Sequence, residues 1–380
     1  MRSRERVVWT VACLSALGAS AGAADLPAQL PAQGFEARPV ATDLETPKPQ
    51  ADDVRNDALA RAHVWAEPAV PIEAAVLGAN PEPFADPAIC RFQPGEPSGA
   101  TPKFDCVFEG GERLKVKYGK NPEIHTEAAA TRLLAALGFG ADRIFLVRTL
   151  RCFGCPADPG AVKPGAAVDA AKYTDFTIVA VERRLPGLAI GEDGWKWDEL
   201  DKAQAEGRGA PREQRDALRL MAVLFNNWDN RAENQRLTCL PEGYPPGKGG
   251  RCGKAVAYMH DVGGTFGRVG GDSKDERKLD LAGWNAVPVW KDRATCTVGI
   301  KSPRLHGASF GEVQISESGR RFLADRLTAL SAQQVQDLFE GAWFADYADA
   351  GPESRDVAGW VGAFQSKVRQ IAEGAPCPTR

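Results

Sequence analysis

The cysteines constrain this chain more than any other feature. Nine occur in 380 residues. Cys13 lies in an N-terminal stretch that reads as a secretory signal over residues 1–23. Arg2, Arg4 and Arg6 come first, then an apolar run from Val7 to Leu17, then Ala21-Gly22-Ala23 as an A-x-A cleavage site before Ala24. The run is shorter than the roughly 20 residues that span a bilayer. The other eight cysteines are Cys90, Cys106, Cys152, Cys155, Cys239, Cys252, Cys296 and Cys377. An even number in an exported chain predicts disulfides, and so an oxidising compartment, either secreted or periplasmic. Eight cysteines allow roughly a hundred pairings, which sequence alone does not resolve. Proximity favours Cys90–Cys106, Cys152–Cys155 and Cys239–Cys252, leaving Cys296–Cys377. Cys152 and Cys155 are read as a structural bridge, because no second C-x-x-C or nearby His pair completes a zinc site.

Removing 23 residues from 380 leaves 357, enough for one large bilobal domain or two ordinary ones. The whole chain carries a formal charge of −3, and the first 23 residues carry three Arg and one Glu, so the remainder carries −5. There is no basic block, which argues against nucleic acid or an anionic membrane as partner. No second apolar stretch is long enough to span a membrane, so none is expected after cleavage.

Residues 24–87 form a Pro/Ala-rich extension, expected to be partly disordered, with one short helix over Asp53 to Trp65. The pattern changes at residue 88. Strands are predicted at 89–92, 104–108 and 114–118, the last two joined through Gly110-Gly111. In the third, Leu114, Val116 and Tyr118 face one way, and Lys115 and Lys117 the other. A helix follows from Glu123 to Leu137, opened by Asn121-Pro122 and stopped at Gly138. Strands at 144–150 and 176–181 come next, and the remainder is mostly helical. Pro211 opens one helix, Ser331 to Gln334 is a capping box, and residues 357–371 form a last amphipathic helix. This order predicts an α+β fold, with a β-rich N-lobe over 88–183 and a larger helical C-lobe over 184–380.

Three stretches carry possible chemistry. Lys117, or its same-face neighbour Lys115, ends a strand just before a helix on which Glu127 could turn inward to pair with it. Asp229 and Asn234 stand at D-x-x-x-x-N spacing after the Pro211 helix. There the Asp could orient or deprotonate a hydroxyl, and the Asn oxygen could ligate metal. Asp261 ends a predicted strand, 255–260, and precedes Val262-Gly263-Gly264. Cys239 and Cys252 bracket a Gly/Pro-rich insert between Asn234 and Asp261, so a bridge there would staple the hairpin carrying both. Each stretch has an ordinary reading: exposed lysines, a helix-terminating turn, an Asp-Gly hairpin. No G-x-S-x-G elbow occurs. His63, His125, His260 and His306 are scattered, and structural or solvated roles suit them better.

In order, Lys117, Glu127, Asp229, Asn234 and Asp261 resemble the protein-kinase-like superfamily, closest to atypical branches such as HipA-like kinases and the exported secretory-pathway kinases. The segments at 125–145, 226–239 and 260–267 also look like a group of bacterial exported proteins. The resemblance spans roughly residues 88–345. It implies a bilobal kinase fold that binds ATP with Mg²⁺ or Mn²⁺ between the lobes. It implies Lys117, with Lys115 as alternative, on the phosphates and Glu127 as the lysine's partner. Asp229 would be the catalytic base, and Asn234 and Asp261 the metal ligands. The expected activity is phosphotransfer to a hydroxyl of a protein or glycan. A pseudokinase scaffold, or a nucleotidyl transferase on the same fold, is the alternative. The pattern departs from a conventional kinase in three places. There is no G-x-G-x-x-G loop, Asn227-Trp228 stands before the Asp in place of His-Arg, and no Ala-Pro-Glu follows Asp261.

Overall fold

The computed structural model describes residues 52–79, 84–95, 99, 101–162, 166–191, 194–205, 208–244, 251–267, 279–300 and 310–379. The signal-type segment and the leader up to residue 51 lie outside the described residues. Helix α1 (Asp52–Leu59) ends earlier than the expected helix. Its continuation is used otherwise. His63 donates its backbone N–H to Ala255 and accepts from Ala257, 2.8 Å each, as a one-residue strand. The backbone is committed there, so a helix to Trp65 is not possible.

Five strands close into a small barrel: β1 (Ala88–Gln93), β2 (Lys103–Phe108), β3 (Arg113–Lys117), β4 (Arg143–Phe153) and β5 (Tyr173–Arg183). Their order is β1-β2-β3-β5-β4, and a parallel β1–β4 pairing shuts the ring. The alternation seen in sequence becomes inside and outside. Phe104, Cys106, Phe108, Leu114 and Val116 fill the interior with Phe145, Val147, Val179 and Val181. Cys90–Cys106 and Cys152–Cys155 join within this core, with Cα separations of 5.8 and 5.5 Å.

Helix α2 (Glu123–Ala136) crosses the outer face against β4 and β5. Asn121 Oδ1 accepts the Glu123 N–H at 2.9 Å, serving one of the orphan donors of the first turn. Gly138, at φ +88°, ends the helix, where a Cβ would lie 2.3 Å from the Ala66 carbonyl oxygen.

Beyond the barrel, β6 (Leu188–Ala189), α3 (Trp197–Ala205) and α4 (Arg212–Phe225) precede a hairpin of β7 (Gln235–Cys239) and β8 (Ala255–Met259). Strands β6, β7 and β8 form one antiparallel sheet. Then come α5 (Leu281–Ala286), the short strands β9 (Thr297–Gly299) and β10 (Glu312–Gln314), and α6 (Glu317–Thr328), α7 (Ala332–Gly341) and α8 (Val357–Ala372). The Ser331–Gln334 capping box opens α7. Phe266, Trp284, Phe339, Phe344 and Trp360 interlock in the helical core, with neighbouring rings 4.9 to 6.0 Å apart. The mixed α+β order expected from sequence is present. Cys239–Cys252 and Cys296–Cys377 complete the pairs at disulfide distance, with Cα separations of 5.7 and 5.6 Å. No described helix is long and apolar enough to cross a membrane.

Candidate functional site

The site begins at the end of β3. Because β2–β3–β5 pairing is in register, Lys117 lies across from Lys103 on one side and Ala180 on the other, and Lys115 lies across from Glu182. Paired residues share a face, here the outer one that α2 covers. Lys117 Nζ meets Glu127 Oε2 at 2.5 Å, with both side chains at most 3 % exposed, and Glu182 Oε2 at 3.9 Å. Lys115 Nζ meets Glu182 Oε1 at 2.8 Å. Burial works against the Lys117 ammonium, but Glu127, Asp261 and Glu182 overcome it and hold its pKa well above the ordinary value. Burial, with Asp261 and Glu182 adding to it, lifts Glu127 to about 8 against the pull of Lys117. Glu182 keeps its charge because Lys115 and Lys117 outweigh its burial.

Asp229 and Asn234 sit in the turn after α4. Asn226 takes the left-handed conformation, φ +55°, and stops the helix, while its amide donates to the Gly267 carbonyl at 2.6 Å. The turn braces itself through Asn230, which donates to the Asn227 carbonyl at 2.7 Å. Asn234 Nδ2 donates to the Asp229 carbonyl at 2.7 Å, turning its Oδ1 the other way. Asp229 is a quarter exposed, with Oδ1 3.2 Å from Arg231 Nε.

Asp261 follows β8. The N–H groups of His260 and Asp261 both donate to the Asn234 carbonyl, at 3.0 and 3.1 Å, so the ladder of β7 and β8 brings the two expected metal ligands together. Burial opposes the Asp261 charge, but Lys117, His260 and the Gly263 N–H outweigh it and lower its pKa. The glycines after it allow close packing. A Cβ on Gly263 would meet Glu123 at 2.8 Å, and one on Gly264 would meet the Trp228 indole at 3.2 Å. Thr126 Oγ1 of α2 donates to the Gly263 carbonyl at 2.8 Å. The Cys239–Cys252 bridge joins the two strands at their other end, beside the insert, rather than next to Asn234 and Asp261.

The oxygen donors at Asn234 and Asp261 suit a hard divalent cation. Asp261 fits that role because it stays ionised and makes no ion pair among the described residues. Beneath it runs a buried relay. His260 Nδ1 bonds Asp142, which also accepts from Tyr258 Oη at 3.0 Å and from the Leu185 N–H at 2.7 Å.

Lys115, Lys117, Glu127 and Asp261 share one charged cluster, Asn234 joins it through its backbone, and Asp229 is tied to it only through its carbonyl bond with Asn234. Lys103, Asp142, Glu182 and His260 were not assigned to it. The Gly110-Gly111 turn would have located Lys103, because it sets the register that opposes Lys103 to Lys117. Glu182 had a weaker signal, a lone carboxylate ending an apolar strand. Asp142 had none. His125 is structural, with Nδ1 2.9 Å from the Ala342 carbonyl oxygen and its ring against Tyr347.

No family model and no curated protein sequence matches this chain. Among solved structures it is similar to the crystal structure of a Helicobacter pylori proinflammatory kinase, CtkA, at 8 % identity and a TM-score of 0.42, covering 74 % of this chain and 94 % of that one.

Proposed function

We propose that this protein is an exported, kinase-like phosphotransferase, with a nucleotide and a divalent cation held between the β-barrel and the helical part as two lobes. The observation that carries the reading is the buried Lys117–Glu127 pair, with the ionised Asp261 acting on the same ammonium. Phosphoryl transfer demands little covalent chemistry of a protein. It needs a fixed cation on the phosphates, carboxylates for metal, and a carboxylate at the acceptor hydroxyl. Here Glu127 fixes Lys117, and Asn234 and Asp261 would hold Mg²⁺ or Mn²⁺. A bound cation would neutralise phosphate charge. Asp229, a quarter exposed in the turn, would orient or deprotonate a hydroxyl of a protein or glycan acceptor.

The test separates these roles. Asp261→Asn is expected to abolish metal-dependent ATP binding in calorimetry. Asp229→Asn is expected to bind ATP normally and to lose about 10²–10⁴-fold in transfer rate, the range of a lost general base. Binding without transfer to any acceptor would leave a pseudokinase scaffold. A folded wild type that binds neither ATP nor metal would overturn the reading.

A further inference from the structure

We infer that Lys103, resting on the same phosphotransferase reading, is a second phosphate-binding cation of this site, reaching an anionic oxygen of the nucleotide from β2 as Lys117 does from β3. Three geometric observations carry it. First, Lys103 is the direct cross-strand partner of Lys117, so both side chains leave the sheet on its outer face. Two ammonium groups side by side repel each other, and nothing in the barrel requires them there.

Second, the other lysines of the cluster each have a carboxylate within ion-pair distance and Lys103 does not. Lys115 has Glu182, and Lys117 has Glu127 and Glu182. Among the described residues the Lys103 side chain makes no hydrogen bond or ion pair, although it is half-buried. Burial first, then Lys117 and Lys115, pull its pKa down, and Asp261 and Glu123 offset this only in part. A half-buried ammonium without a counter-charge costs stability, and an anionic ligand removes that cost. Two groups of the cluster are thus left without an ion pair, Lys103 and Asp261, one of each sign. Their charges complement a metal–phosphate ligand.

Third, the described residues Gly99 and Thr101 lie just before Lys103. Thr101 is buried, and its hydroxyl bonds the Glu123 carboxylate at the start of α2. Gly99, at φ +93°, lies so close that a Cβ there would be 3.0 Å from Lys103 Nζ. This is the position at which a conventional kinase places its glycine-rich loop over the phosphates. Here a side-chain ammonium beside Gly99 would supply the contact that backbone N–H groups make elsewhere.

The experiment is calorimetry of the purified protein with Mg²⁺ and ATP, ADP or adenosine, comparing wild type with Lys103→Met and Lys103→Arg. Lys103→Met keeps the apolar stem and removes the charge. It should weaken ATP and ADP by about tenfold or more, the effect of one charge-assisted contact. Adenosine affinity should not change, and Lys103→Arg should restore most of the loss. The melting temperature of Lys103→Met should not fall, which separates a ligand contact from a structural role. Lys103→Met binding ATP within twofold of wild type overturns this inference and leaves the phosphotransferase reading in place. A wild type that binds no nucleotide overturns both.

Discussion

Glu127 is the residue whose charge the site strains most. Its neighbours include an ammonium at 2.5 Å, yet burial and the carboxylates of Asp261 and Glu182 raise its pKa from 4.5 to about 8. Its pKa being raised on folding, Glu127 binds a proton more tightly in the folded protein than in the unfolded chain. Stability from this group is complete below the lower value and is lost as pH rises through the upper one. Metal-free melts of wild type should show that decline, and Glu127→Gln should show a flatter profile over the same window. An unchanged profile would mean that Lys117 keeps Glu127 ionised throughout. The same crowding explains how a bound cation would act here. Positive charge near Asp261 would relieve the repulsion that Glu127 feels and strengthen its pairing with Lys117.

At the scale of elements, helix α8 shows how position overrides residue type. The amphipathic pattern put Val357, Trp360, Val361, Phe364, Val368 and Ile371 on the apolar face; Trp360, Phe364 and Ile371 are buried and the three valines half-buried. Lys367 is buried with them at 1 % exposure, over the Trp284 ring at 5.0 Å and against the Val287 carbonyl. Burial lowers its pKa from 10.5 to about 8. In that window the folded state holds fewer protons than the unfolded one, so stability should rise with pH from about 8 to 10.5. Lys367→Met keeps the packing and removes the desolvated charge. It should stabilise the protein by about 1 kcal/mol or more at neutral pH and abolish the alkaline rise. A lowered melting temperature would show that the carbonyl contact and the ring outweigh desolvation.

Across the whole molecule, the disulfides act on different lengths of chain. Cys239–Cys252 spans 13 positions and Cys296–Cys377 spans 81. In the chain-entropy model a short loop contributes about 3 kcal/mol and one near a hundred residues about 4.7 kcal/mol. Replacing both cysteines of each pair with Ala should therefore lower stability more for Cys296–Cys377, as read by denaturant melts. Nucleotide affinity should survive loss of Cys239–Cys252, because the backbone ladder between β7 and β8 still holds Asn234 against His260 and Asp261. Free thiols at these positions in non-reducing peptide maps would refute the pairings. Much of this was legible in the sequence. Alternation located the barrel strands, Pro and Gly bounded α2, and cysteine spacing favoured three pairs and left Cys296 with Cys377, all four now at disulfide distance. Such signals are local: they depend on period, turn chemistry and short loops. What the tertiary structure alone decided was which charges share a space. Asp142 carries no local mark and Glu182 only a weak one; the pairing of β3 with β5 brings Glu182 to Lys115 and Lys117, and tertiary packing brings Asp142 to His260. Electrostatic partnership depends on distance in space and on exclusion of water, and a period along the chain encodes neither.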